Sequence, residues 1–158
     1  MCFAKSFTLQ RTRVLSAIRI SDDLMSEKSY YFEEVNTIKA MLEQSKTEAP
    51  CLFLLDEMFK GTNTIERISA GKSVLSYLNQ GNNMVIISTH DIELAHLLAD
   101  SYSLYHFAEN VEGDEILFDY KIKEGHLKTT NAIRILEING YPISVVDEAK
   151  AISETLRK

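Results

Sequence analysis

Two short, unbroken apolar runs constrain this chain more than any other feature, because each stops at residues that can do chemistry. Cys51-Leu52-Phe53-Leu54-Leu55 runs into Asp56-Glu57, and Met84-Val85-Ile86-Ile87 runs into Ser88-Thr89-His90. A strand buried on both faces loses the polar alternation of a half-solvated one, so runs of this kind point to a parallel sheet. The segments between and around them have helical spacing. Ser29 to Gln44 carries Phe32, Val35, Ile38 and Leu42, and Ile65 to Leu78 and Ile92 to Ala99 are helical as well. Val14 to Ile20 alternates in part and predicts a first strand. The expected fold is α/β, a mainly parallel sheet flanked by helices on both faces.

The remainder of the chain is built differently. Tyr102 to Phe107 and Ile116 to Ile122 predict paired strands joined through the acidic turn around Gly113, an antiparallel hairpin at one edge of the sheet. Thr130 to Glu137 and Ile143 to Lys158 predict a closing pair of helices. Gly140 stops the first, and Pro142 suits the entry to the second. There is no internal repeat, low-complexity tract or linker rich in Pro, Gly or Ser.

Composition narrows the function. With 158 residues, 45% of them apolar and 25% charged, the chain is long enough for a core of its own. No apolar run approaches the length of a membrane span, and Met1 to Gln10 lacks the apolar stretch of a secretory signal. Cytoplasm is the expected compartment. Cys2 and Cys51 form neither a disulfide framework nor a zinc pattern, and Cys51 reads as a buried small hydrophobe. A net charge of −6 argues against DNA binding by this piece, since neutralising phosphates takes clustered Lys and Arg. Arg11, Arg13 and Arg19 alternate with apolar residues and read as the solvent face of a strand. His96, His106 and His126 read as ordinary satisfied imidazoles.

The chemistry is expected at the strand ends. In open α/β sheets, ligands bind at the carboxyl ends of strands. Two acids ending one strand and a His ending another therefore face one crevice. Adjacent carboxylates at a buried strand end are costly unless a metal or a water network offsets their charge. This is the arrangement in which one acid organises Mg²⁺ and the next polarises a water that attacks a phosphate. The bland alternative is a strand end capped by solvated acids.

Three segments together resemble the MutS family of DNA mismatch repair proteins. Leu54 to Thr64 (LLDEMFKGTNT) is similar to the Walker B strand and following loop of that family. Ser88 to Leu94 (STHDIEL) is similar to its switch-histidine segment. Ser21 to Glu34 (SDDLMSEKSYYFEE) is similar to the loop and helix start that play the ABC-signature role. The resemblance covers nearly the whole chain. It implies an incomplete P-loop NTPase of the ABC type over residues 1–129, and a dimerisation element in the helical pair over 130–158.

The resemblance also implies roles. Asp56 would organise Mg²⁺, Glu57 would orient the hydrolytic water, and His90 would sense the γ-phosphate of ATP. Ser29 would reach the γ-phosphate held by a partner subunit, while Gly61, Thr62 and Asn63 would lie in the loop that crosses between subunits. Ser29 is equally a helix cap, and Gly61 with Asn63 equally turn chemistry. Two departures stand out. Glu27 occupies a position where family members often have Gly. The phosphate-binding loop, Gly-x-x-x-x-Gly-Lys-Ser/Thr, has no match: Gly71-Lys72-Ser73 is preceded by Glu66 at the leading glycine position and lies in a predicted helix. The chain is therefore expected to be a C-terminal fragment of an ATPase domain that acts as a homodimer, with DNA engaged by regions it lacks. A nucleotide-free dimerisation module and another ABC-type DNA-maintenance ATPase are the alternatives. The Phe59 to Thr64 loop favours MutS over the latter.

Overall fold

The structure is a computed structural model that describes residues 5–6, 8–18, 30–113, 115–127 and 131–156. Arg19, Glu27 and Ser29, and with them most of the predicted signature segment, lie outside the described residues. Two compact units divide the chain, residues 1–102 and 103–158.

In the first unit, β1 (Arg13–Ala17), β2 (Cys51–Asp56) and β3 (Met84–Ser88) form a parallel sheet in the order β1-β2-β3. Parallel neighbours need long crossovers, and helices supply them. The helix α1 (Tyr30–Gln44) lies between β1 and β2 in the chain, α2 (Thr64–Leu78) between β2 and β3, and α3 (Ile92–Leu98) follows β3. Leu15 pairs in register with Phe53, which pairs with Val85, and Asp56 pairs with Ser88. The two apolar runs therefore end side by side.

The core lies on one face of this sheet. Ala17, Cys51, Phe53 and Leu55 pack with Ile38 and Met41 of α1, Leu75 and Leu78 of α2, and Leu94 and Leu98 of α3. Phe53, Leu75 and Leu78 are fully buried. Tyr102 ties the end of the unit to α2 by donating its hydroxyl to the Leu75 carbonyl at 2.9 Å. Burial pushes that phenol up to about 12. Of the positions between, Val14, Met84 and Ile86 are exposed, while Leu52 is buried and Leu54 half-buried outside the main core cluster. The continuous apolar character of the strands predicts cover on both faces; the helices described here cover one.

Gly71-Lys72-Ser73 lies within α2, with Ser73 donating its hydroxyl to the Ser69 carbonyl and a Cβ at Gly71 meeting Leu94 at 3.4 Å. It is helix, not a phosphate-binding loop.

The second unit holds two antiparallel pairs, each a sheet of its own. Strand β4 (Tyr105–His106) pairs with β7 (Lys123–Glu124), and β5 (Glu109–Glu112) pairs with β6 (Glu115–Phe118) across the Gly113 turn. The hairpin is present, but the partner of the strand near residues 102–107 is Lys123–Glu124 rather than Ile116 to Ile122. Asp119 is the reason. Its carboxylate accepts the Lys121 N–H at 3.0 Å and pairs with Lys123 at 2.9 Å, and Tyr120 takes φ 53, which turns the chain after Phe118. The helices α4 (Ala132–Ile138) and α5 (Ile143–Leu156) close the unit. Gly140, at φ 73, makes the left-handed turn after α4 that a side chain would strain, and the Pro142 carbonyl accepts the N–H groups of Val145 and Val146 at the start of α5. No helix among the described residues is long and apolar enough to cross a membrane.

Candidate functional site

Asp56 is the last residue of β2 and Ser88 the last of β3. Because they are registered partners, the Ser88 hydroxyl donates to Asp56 Oδ1 at 2.5 Å. The ladder continues one bond further, with the Glu57 N–H donating to the Ser88 carbonyl at 3.0 Å. Glu57 then leaves the strand direction at φ 53, in the left-handed region that a residue with a Cβ adopts against steric resistance. Its carboxylate Oε2 meets Nδ1 of His90 at 2.6 Å. Glu57 is 19% exposed and His90 71%, so the pair runs from a sheltered acid to an open imidazole.

The residue after His90 is tied to α2. Asp91, 7% exposed, takes two hydrogen bonds from Arg67 of α2, at 2.8 Å from Nε and 2.7 Å from Nη2. Those bonds hold the Asp91 carboxyl below the usual carboxylate range and raise the Arg67 guanidinium. Asp91 stands at the N-cap position of α3 but makes no side-chain cap bond. Its own N–H donates to the Thr89 hydroxyl at 3.1 Å.

The loop after Glu57 is gripped by α1. Met58 and Phe59 are buried, and Phe59 also takes a left-handed φ, 61. The Phe59 N–H donates to Glu34 Oε1. Burial pushes the Glu34 carboxyl up, while the Phe59 N–H, the Lys60 charge and the Lys60 N–H hold it back in part. The Tyr31 ring centroid is 6.3 Å from that of Phe59. A Cβ at Gly61 would come within 2.8 Å of the Tyr31 Cβ, so only glycine permits this approach.

Of the residues singled out in the sequence, Asp56, Glu57 and His90 come together at the carboxyl edge of the sheet. Thr62 and Asn63 bond to the start of α2. The Thr62 hydroxyl donates to Glu66 Oε2 at 2.6 Å, and Asn63 caps the helix by accepting the Glu66 N–H at 3.0 Å. Ser29 lies outside the described residues. Among the other histidines, His106 Nδ1 stands 2.9 Å from the Gly125 carbonyl, an ordinary satisfied imidazole.

Sequence reasoning names Ser88 at a strand end without a role, and it singles out neither Glu34 nor the Arg67–Asp91 pair. Ser88 follows from two runs ending in register. Glu34 had a signal, since it sits four residues before Ile38 on the inward face of α1. Arg67 and Asp91 carry no local sign of each other.

No group of three or more His, Cys, Asp or Glu arranged to hold a metal ion occurs among the described residues. Mg²⁺ needs no such cage: it is held by one or two carboxylates together with waters and phosphate oxygens. The Asp56 carboxylate beside the Ser88 hydroxyl is a hard oxygen donor set that fits it.

Comparison with known proteins agrees in extent with these elements. The family model described as MutS domain V matches residues 3–157. The DNA mismatch repair protein MutS of Prochlorococcus marinus (strain MIT 9312) is 30% identical over 149 residues, covering 92% of this chain and 16% of that protein. Its namesake in Clostridium perfringens is 30% identical over 149 residues, covering 91% and 16%. The one in Orientia tsutsugamushi (strain Ikeda) is 32% identical over 143 residues, covering 89% and 16%. The chain thus spans about a sixth of the length of the curated relatives it matches.

Proposed function

The chain belongs to the MutS domain V family, and we propose that it carries the water-activating part of an ATP hydrolysis site in a DNA mismatch repair or related DNA-maintenance protein. The observation that supports this reading best is the 2.6 Å contact between Glu57 and His90, beside Asp56 and Ser88, at the carboxyl edge of a parallel sheet.

Each residue has a distinct task in this reading. Asp56, with Ser88 orienting one of its oxygens, holds Mg²⁺, whose chemistry is to neutralise charge on the phosphate oxygens. Glu57 has a second carboxylate oxygen beyond the one facing His90. That oxygen orients a water and receives its proton as attack begins. His90 presents the far side of its exposed ring to the terminal phosphate. Positioning and charge stabilisation supply most of the catalysis in phosphoryl transfer. A phosphate-binding loop has to complete the site, because nothing in these 158 residues matches one.

The intact protein in this reading is a homodimer joined in part through α4 and α5, with DNA engaged by regions other than this acidic piece. The test is ATP turnover by a polypeptide that joins this chain to a phosphate-binding loop. Glu57→Gln should keep ATP binding and lower turnover at least about a hundredfold. Turnover unaffected by that change would remove Glu57 from the chemistry, and a joined polypeptide that binds no ATP would favour a nucleotide-independent interaction module instead.

A further inference from the structure

The turn that aims Glu57 at His90 is held from outside the strand. Two of its residues, Glu57 at φ 53 and Phe59 at φ 61, occupy the left-handed region although neither is glycine. A backbone held there relaxes unless its surroundings over-determine it. The holding group is an unusual one. Glu34 is 3% exposed, and its Oε1 accepts the Phe59 N–H. A buried carboxyl is an unfavourable choice for packing alone, where a leucine or methionine would bury more surface at no polar cost.

We propose that Glu34 is a positioning residue for the Glu57–His90 pair: by accepting the Phe59 N–H it locks the left-handed turn that points the Glu57 carboxylate at His90. This rests on the reading of that pair as the reactive one. Tyr31 adds two further points of attachment between α1 and the same loop, its ring against Phe59 and its Cβ against Gly61. The first turns of α1 and the Glu57 turn therefore move as one piece.

The experiment reads the geometry of the pair directly in the 158-residue chain. The His90 ring resonances are recorded by NMR in the wild type, Glu57→Gln, Glu34→Met, Glu34→Ala and Glu34→Gln, together with amide exchange at Phe59, Leu75 and Leu78. Glu34→Met and Glu34→Ala should move the His90 ring signals toward those of Glu57→Gln and speed Phe59 exchange by about tenfold or more. Leu75 and Leu78 should stay protected. Glu34→Gln should keep the wild-type ring signals, because its carbonyl accepts the same N–H. Ring signals that do not move in the Met and Ala variants would overturn the proposal. So would loss of Leu75 and Leu78 protection together with Phe59, or a failure of both variants to fold, since either shows Glu34 supporting the whole unit rather than the turn. No nucleotide enters the measurement, so an absence of ATP turnover and a failure of this proposal are separate results.

Discussion

Arg67 grips Asp91 with two hydrogen bonds, from Nε at 2.8 Å and Nη2 at 2.7 Å, and so fixes the residue that follows His90. The fork geometry of a guanidinium on a carboxylate constrains orientation as well as distance. Asp91→Ala should therefore lower the melting temperature by roughly 5–10 °C and weaken the Glu57–His90 contact. The pH dependence has a definite sign. The folded-state pKa of Asp91 is depressed by Arg67, so its stabilisation is present above the ordinary Asp value and is lost as pH falls through the lower, folded value. Thermal melts from neutral to acid pH should show a shallower acid decline in Asp91→Ala. Superimposable acid arms would contradict the pairing.

The isolated chain should hydrolyse ATP no faster than background. Asp56, Glu57 and His90 can organise a cation and a water, but the β- and γ-phosphates need consecutive N–H groups and a lysine to hold them. A steady-state phosphate-release assay on the purified chain decides this. Turnover that disappears in Glu57→Gln would show that these residues suffice.

Gly61→Ala should disturb the site from a distance. The new Cβ would sit 2.8 Å from the Tyr31 Cβ, closer than side-chain carbons approach, and Tyr31 is attached to α1 through its own backbone. Overpacking of this kind costs about 1–3 kcal/mol. Denaturant unfolding should show that loss, and Tyr31→Gly in the same chain should restore most of it. An additive double variant would mean that the two residues do not meet.

Strand ends were legible because a buried parallel strand leaves a local mark. The runs 51–55 and 84–87 announce both their burial and their termination, and two such ends in one parallel sheet share an edge; hence Asp56, Glu57 and His90. What escaped was set by contacts between distant segments. Glu34 is a charged residue in an amphipathic helix, and only the approach of the Phe59 N–H accounts for its burial. Arg67 and Asp91 each look solvated until α2 and α3 bring them together. The strand pairing near residues 102–124 differs from the expected one because Asp119 and Tyr120 turn the chain without a Gly or Pro to mark it. Apolar Met84 and Ile86, within an unbroken run, predict a second layer of helices, yet they are exposed.

The last prediction concerns assembly through the closing helices. In α4, Ile133, Ile135, Leu136 and Ile138 are partly buried, and in α5 Val146 is fully so. The opposite is true of Ile143, Val145, Ile152 and Leu156, which are 66%, 44%, 52% and 81% exposed. Val145, Ile152 and Leu156 recur at helical spacing, so α5 shows water an apolar stripe as well as a buried residue. Such a stripe on a soluble surface marks a partner site, and a self-complementary two-fold contact is the commonest way for a chain to cover its own. The chain should therefore be a concentration-dependent homodimer. Ile152→Glu with Leu156→Glu should raise its dissociation constant at least about tenfold, the equivalent of roughly 1.4 kcal/mol. A version ending at Asn139 should lose the association altogether. Sedimentation equilibrium across a range of concentrations measures both. Monomers throughout, or equal dimerisation of the intact, substituted and shortened chains, would show that α5 makes no such contact.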